Sequence, residues 1–273
     1  MNAILNSTIT DKEFSLFKDM IYQQAGINMT PAKKSLVIGR LGKRLRHYNF
    51  SNFSDYYDLI ISDKYPEEIQ ITIDLLTTNE TYFFREEKHF DLLKNKIIPD
   101  QHKSGQIFRA WSAASSSGQE AYTIAMVLAD VVGLNTPWEV IGSDISSRII
   151  EQARAAVYPI KEAENISQHL LNKYCLKGVR SQAGNLLIDK SLRKKVSFHH
   201  RNLLKNCNDM GTFDVIFLRN IMIYFDNKTK QDLVNKLTMQ LNSGGYLIIG
   251  HSESLNQIIT NLQLISPSVY RKE

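Results

Sequence analysis

Apolar positions recur along this chain with two different periods, and the point where the period changes divides it. Up to about residue 76 the spacing is helical. Thr10 and Glu13 stand in capping-box spacing ahead of Phe14, Phe17, Ile21 and Ala25, and Gly26 supplies a stop, so the first helix buries one face. Thr30-Pro31 opens a second helix, with an N-cap residue and a proline in its first turn, and Val37, Leu41, Leu45 and Tyr48 share one side of it. Tyr56, Tyr57, Leu59, Ile60 and Ile61 mark a third helix that ends before Asp63-Lys64-Tyr65-Pro66, and a fourth runs from Pro66 to Leu76. Residues 1–76 therefore read as a small all-helical domain. The polar and aromatic run from Thr77 to Arg85 reads as connection, within a linker over 77–102.

Beyond about Lys103 the runs become short and strand-like: Gln106–Trp111, Trp138–Gly142, Val196–His199, Phe213–Leu218 and Gly245–Ile249. Helical patterns fall between several of them, at Gly118–Val132, Ser146–Val157 and Lys228–Leu241. This alternation predicts an α/β domain over 103–273, with a mostly parallel sheet covered by helices on both faces. Leu262–Tyr270, with a turn at Pro267, reads as two short strands that add an antiparallel edge, because so short a loop cannot make a crossover. The stretch from Tyr158 to Lys195 is far longer than a simple connection. It holds a helical piece (Ile166–Tyr174) and a β-prone piece (Asn185–Ile188), and is read as an inserted subdomain.

Composition narrows the class only a little. A net charge of +5 is a mild excess that points toward an acidic partner without requiring nucleic acid. Its distribution says more: Lys33, Lys34, Arg40, Lys43, Arg44 and Arg46 fall before His47 with no acid among them. Steps of three, four and seven place Lys33, Arg40, Lys43, Arg44 and His47 on one face of the second helix, away from its apolar side. That face is either simply solvated or a docking surface. Two cysteines, Cys175 and Cys207, are too few for a disulfide framework or a cysteine zinc site. The opening MNAILNSTITDKEF lacks the basic and apolar regions of a leader, and no window approaches a membrane span, so a cytoplasmic protein is expected.

The candidate chemistry gathers at the ends of the strand-like runs. Ile107–Glu120 reads as a strand, a loop of small residues and a helix start, which is either a plain strand-loop-helix junction, as its single glycine without G-x-G-x-x-G allows, or a socket in which the backbone can approach a nucleotide-like guest. Asp144 ends the second strand, where an acid can accept hydrogen bonds from ribose hydroxyls or cap the next helix. Arg219 and Asn220 end the fourth strand, as a polar pair does at any exposed edge, but the apolar and aromatic Ile221–Phe225 that follow point to a walled pocket beside the socket. Neither G-x-S-x-G, a P-loop nor H-E-x-x-H occurs, and His199 and His200 are adjacent, hence on opposite strand faces. No metal is expected.

Five stretches carry a resemblance: Leu76–Glu86 (LTTNETYFFRE), Trp111–Met126 (WSAASSSGQEAYTIAM), Ser143-Asp144-Ile145, Arg219–Asp226 (RNIMIYFD) and Gly250–Ser254 (GHSES). In that order they resemble the successive signatures of the CheR family, chemoreceptor glutamate methyltransferases that use S-adenosylmethionine. The resemblance implies a helical N-terminal domain, a linker, and a Rossmann-like methyltransferase domain bearing a small antiparallel β-subdomain. It implies that Asn79, Thr81 and Arg85 reach the methionine end of the cofactor. Glu120 and Asp144 would hold its amino-acid and ribose portions, Asn202 and Leu203 its adenine end, and Arg219 with Asn220 the crevice floor. The loop departs from the usual family wording at Ser117, Gln119 and Ala121, where Thr, Glu and Pro are common.

On this resemblance the reaction moves a methyl group to a receptor glutamate γ-carboxylate, leaving S-adenosylhomocysteine. A carboxylate is already ionised at neutral pH and needs no general base, so alignment in a dry site is the enzyme's task. Arg85 is the candidate cation beside the acceptor, with Asn220 and Tyr224 as polar guides. The basic face (Lys33, Arg40, Lys43, Arg44, Arg46) then becomes the dock for receptor cytoplasmic domains, whose methylation helices are glutamate-rich in the family's role. The protein is expected to act as a monomer, without nucleic acid or membrane insertion. A methyltransferase for another substrate and a catalytically idle binding module are the competing readings; a basic, aromatic-lined crevice mouth would mark the first, and retained Asn79, Arg85, Glu120, Asp144 and Asn220 argue against the second.

Overall fold

A computed structural model describes residues 8–62, 64–103 and 105–273. Asp63, in the turn expected before the fourth helix, and the first seven residues of the opening stretch lie outside the described residues. The chain divides into two compact units, Met1–Thr78 with Tyr224–Asp226, and Asn79–Ile223 with Asn227–Glu273.

The first unit is helical. Helix α1 (Asp11–Ala25) begins at a complete capping box, with the Thr10 hydroxyl accepting from the Glu13 N–H and the Glu13 carboxylate accepting from the Thr10 N–H, and ends at Gly26 in the left-handed conformation. Helix α2 (Lys34–Tyr48) is entered through a 3-10 turn, Pro31–Lys33, and Thr30 makes no side-chain cap, so the expected start is tighter than a simple N-cap. Val37, Leu41 and Leu45 are its buried side. Asn52 caps α3 (Phe53–Ile61), and Pro66 opens α4 (Pro66–Leu76). Their core is aromatic, with Phe17 packed on Phe53, Tyr56 and Tyr57.

The second unit opens with an irregular stretch and then a helical run that the sequence reading left inside the linker: α5 (Lys88–Leu92), a π-helical turn (Leu93–Ile97) and α6 (Ile98–Gln101). Phe90, Leu93, Ile97 and Ile98 are all buried by it, in helical spacing. The main sheet takes β1 (Phe108–Ser112), β2 (Trp138–Asp144), β6 (Val196–His200), β7 (Phe213–Leu218), β8 (Leu241–Ile249), β9 (Leu262–Ser266) and β10 (Val269–Lys272). Their order is β6-β2-β1-β7-β8-β10-β9. The pairs β1–β2, β1–β7, β2–β6 and β7–β8 are parallel, while β10 runs antiparallel between β8 and β9. Every residue of β7 is buried and all but Asp214 are apolar, as expected of a central parallel strand covered on both faces. Helices α7 (Gln119–Val131), α8 (Ser147–Ala155) and α11 (Asn227–Met239) lie on the crossovers where the pattern placed them. The insertion is a three-stranded antiparallel sheet, β3-β5-β4, from β3 (Val157–Pro159), β4 (Cys175–Lys177) and β5 (Asn185–Ile188). It also carries α9 (Gln168–Tyr174) and α10 (Lys190–Arg193).

Strand order reverses between β1 and β7, because the chain builds outward to β2 and β6 and then returns to β7 and β8. The carboxyl ends of β1 and β7 therefore splay into loops that leave in opposite directions, the topological switch point where open α/β sheets bind ligands.

Candidate functional site

At that switch point the loop after β1 is stitched to both neighbouring strands. The Ala113 N–H donates to the Phe217 carbonyl and the Ser115 N–H to the Ser143 carbonyl, each at 2.8 Å. Gly118, with φ +94°, turns this loop into α7. An added Cβ there would lie 2.9 Å from that of Ala153 and 3.0 Å from the Phe198 ring, so the turn requires glycine. The Asp144 carboxylate at the tip of β2 accepts the N–H groups of Ser116 and Ser146, each at 3.0 Å. The side-chain cap of α8 is Ser146, and Asp144 bridges the loop and the start of the helix, one oxygen on each. Ser116 in turn donates its hydroxyl to the Asn79 carbonyl at 2.9 Å, tying the incoming segment to the strand tips.

Arg219 is the electrostatic centre. Its side chain is 2% exposed and lies between two carboxylates, with one guanidinium nitrogen 2.8 Å from Glu120 and another 3.1 Å from Glu86. It also donates to the Arg85 carbonyl and covers the Phe90 ring. Ser112 donates to the other Glu120 oxygen at 2.7 Å. Burial opposes the charge on Glu86, but Arg219, the Asn220 amide and the His251 N–H outweigh it and hold the carboxyl below its usual range. Beside them His89 is buried, and neither ring nitrogen has a hydrogen-bond partner. Burial, with the Arg219 charge and His251, pushes its pKa down to about 4, so it is neutral at physiological pH. Ligand atoms of Glu86, His89 and His251 lie within 4.8 Å of one another. Arg219 already supplies a positive charge at Glu86.

The other expected residues are distributed as follows. Thr81 and Arg85 are half-buried in the segment leading to α5. The Arg85 guanidinium donates to the Glu80 carbonyl at 2.9 Å and lies over the Tyr82 ring, so it is turned toward its own segment. The Arg201 N–H donates to the Asp144 carbonyl at 2.8 Å, and Asn202 follows with its side chain accepting from the Leu204 N–H, beside buried Leu203. Asn220 adopts φ +57° and donates its amide to Glu86 at 3.3 Å. Tyr224 belongs to the helical unit, where its carbonyl accepts from the Asn28 N–H at 2.8 Å.

On α2 the basic residues divide. Arg40 donates to the carbonyls of Leu75, Leu76 and Thr77 at the end of α4, and Arg44 pairs with fully buried Glu68, which also accepts from Tyr48 and Tyr56. Lys33, Lys43, Arg46 and His47 are exposed. The pattern of charges alone could not separate these groups, because both lie at helical spacing.

Residues outside the sequence reading of the site include Glu86, His89, Gln119 and Glu253. Glu86 closes the Leu76–Glu86 stretch and Glu253 lies within Gly250–Ser254, so both fall inside the stretches that carry the resemblance. Gln119, buried, bonds Ser117 at 2.8 Å and donates to Glu162 of the insertion at 2.9 Å.

The donor set suits a cationic nucleoside. Glu86, Glu120 and Asp144 outnumber Arg219, leaving a negative excess that an ammonium and a sulfonium complement, and the loop of small residues has no glycine nest of the kind that cradles pyrophosphate. Arg219 Nε and Ser115 Oγ, both buried, have no partner among the protein atoms. A sheet of this order with acids at the switch point fits a methyltransferase that uses S-adenosylmethionine, and the family match shows it to be one. Residues 12–77 match the CheR methyltransferase all-alpha domain and residues 79–270 the CheR methyltransferase SAM-binding domain. The chain is 38% identical to the chemotaxis protein methyltransferase of Escherichia coli K12, over 96% of this chain and 91% of that one. It is also 38% identical to that of Borreliella burgdorferi, over 98% and 96% of the two chains. It belongs to the CheR family.

Proposed function

We propose that this protein methylates glutamate γ-carboxylates of chemoreceptor cytoplasmic domains, acting as a cytoplasmic monomer that reaches its membrane-bound substrates by docking. The observation that carries the reading is the Glu86–Arg219–Glu120 network around a buried arginine at the switch point, in a chain whose relatives are chemotaxis protein methyltransferases. Glu120 and Asp144 would hold the amino and ribose groups of the cofactor, Asn79, Thr81 and Arg85 its methionine end, and Asn202 with Leu203 its adenine. When bound, S-adenosylmethionine supplies an electrophilic methyl group. The chain's own residues orient and exclude water: Arg219 fixes Glu120, Phe90 and Phe217 stack behind it, and Asn220 projects at the crevice floor. No residue has to remove a proton, because the acceptor carboxylate is ionised. Arg85, which is not buried in an ion pair, is the cation able to turn toward that carboxylate and keep its pKa low as water leaves. The exposed cations Lys33, Lys43 and Arg46 are the docking contacts for a glutamate-rich receptor helix, while Arg40 and Arg44 hold the helical unit that presents them. Incubation with S-adenosylmethionine and a receptor cytoplasmic fragment, followed by mass spectrometry, tests the substrate: methyl esters on defined glutamates support it, and modification of other side chains only would refute it.

A further inference from the structure

Between the tips of β7 and β8 a single buried carboxylate holds two loops together. Glu253 Oε2 accepts the N–H groups of Gly250 at 2.7 Å and Asn220 at 2.9 Å, and Oε1 accepts that of Ile223 at 3.3 Å. The Met222 N–H also points to this carboxylate. Four backbone donors thus converge on one side chain that is only 9% exposed. One of those donors belongs to Asn220 itself, which is left-handed, a conformation that asparagine tolerates better than most side-chain-bearing residues but that still favours a backbone held from outside. Gly250 completes the arrangement. A Cβ there would lie 2.6 Å from the Asn220 amide nitrogen, 2.9 Å from Glu253 Oε2 and 3.0 Å from the Asn220 backbone nitrogen, so a larger residue would force the loops apart.

Asn220 is therefore gripped twice, by Glu253 through its main chain and by Glu86 through its amide. Leu218 and Ile249 are register partners in the β7–β8 pair, so the two loops leave the sheet side by side, with Arg219 and Asn220 at the crevice. We propose that Glu253 is a positioning residue, which clamps the left-handed backbone of Asn220 against the β8 tip and so presents Arg219 and Asn220 to the cofactor. The proposal rests on the cofactor crevice described above. Without the clamp the 219–223 loop relaxes toward ordinary backbone angles, and the Asn220 amide and Arg219 guanidinium lose their aim while the sheet beneath them stays intact. Burial raises the Glu253 pKa and the four N–H groups oppose it, so the group sits where a change of hydrogen-bonding character is felt.

The test uses Glu253→Gln, close in size but carrying an NH2 that faces backbone donors, and Gly250→Ala, which disturbs the same clamp from the other side. S-adenosylhomocysteine affinity is measured by titration calorimetry on the full chain, with melting temperature in parallel. The expected result is a loss of affinity of about tenfold or more in each folded variant, and a double variant no weaker than the worse single one, because contacts sharing one element are not additive. Affinities within about twofold of wild type in either folded variant, or fully additive losses, would overturn the proposal. Failure of both variants to fold would also overturn it, by assigning Glu253 to folding. A wild-type chain that binds no S-adenosylhomocysteine would instead strike the crevice reading itself.

Discussion

Arg219 and Glu120 form an ion pair of 2.8 Å in which the arginine is 2% exposed, and the same guanidinium reaches Glu86 at 3.1 Å. Removing the buried arginine leaves two partly buried carboxylates without their cation, which costs up to about 3–5 kcal/mol. Arg219→Met should lower stability by that order, and should abolish measurable S-adenosylhomocysteine binding even at temperatures where the protein remains folded. Chemical denaturation with calorimetric titration below the transition checks both parts.

The basic helix separates into structural and exposed cations, and substitutions should separate likewise. Arg44→Ala leaves the Glu68 carboxylate buried without its cation, at a cost of about 3 kcal/mol or more, and is expected to unfold the helical unit first. Lys43→Ala with Arg46→Ala should change stability by only about 0.5 kcal/mol per site. The same pair should reduce kcat/KM for receptor fragments about tenfold, most at low salt, since rim charges act on encounter. Denaturation midpoints and steady-state methylation at two ionic strengths distinguish the two groups.

His89 makes stability fall as the solution is acidified. Its folded pKa of about 4 lies below the ordinary 6.5, so between those values the unfolded chain binds the extra proton. The full difference is about 3 kcal/mol, present above pH 6.5 and lost by pH 4. Glu86, held low by Arg219, adds a loss of the same sign only below its usual range near 4.5. His89→Phe should therefore flatten the stability profile between pH 6.5 and 5, read as the difference in denaturation midpoint from wild type.

The glutamine at 119 is matched to its partner. Its amide donates to Glu162 at 2.9 Å, so Gln119→Glu would set two carboxylates against each other in a buried position. A cost of about 1–3 kcal/mol is expected, and the double variant Gln119→Glu with Glu162→Gln should recover most of it. Thermal denaturation of the four proteins of the cycle measures the coupling.

Much of this architecture was legible from periodicity, and the failures have physical causes. The capping box at Thr10, the apolar side of α2 and the buried run of β7 each follow from one local rule, so each could be read directly. Helices α5 and α6 are hard to read within the linker because a π-helical turn and Pro99 interrupt the run, although Phe90, Leu93 and Ile97 keep helical spacing. Asp144 is readable as an acid at a strand tip, but that its two oxygens divide between the loop at Ser116 and the start of α8 at Ser146 is not. The partners of Arg219, and the division of α2's cations between α4 and solvent, are contacts between residues far apart in the chain. Spacing within one element carries no information about them.

The most direct test of the central claim is transfer of a tritiated methyl group from S-adenosylmethionine to a receptor cytoplasmic fragment, followed by mild alkali. Carboxyl methyl esters release the label as volatile methanol, whereas methylated amines retain it. The expected result is alkali-labile label with the wild-type chain and a loss of about a hundredfold or more with Glu120→Gln. Alkali-stable label, no label, or full activity of Glu120→Gln would contradict the account.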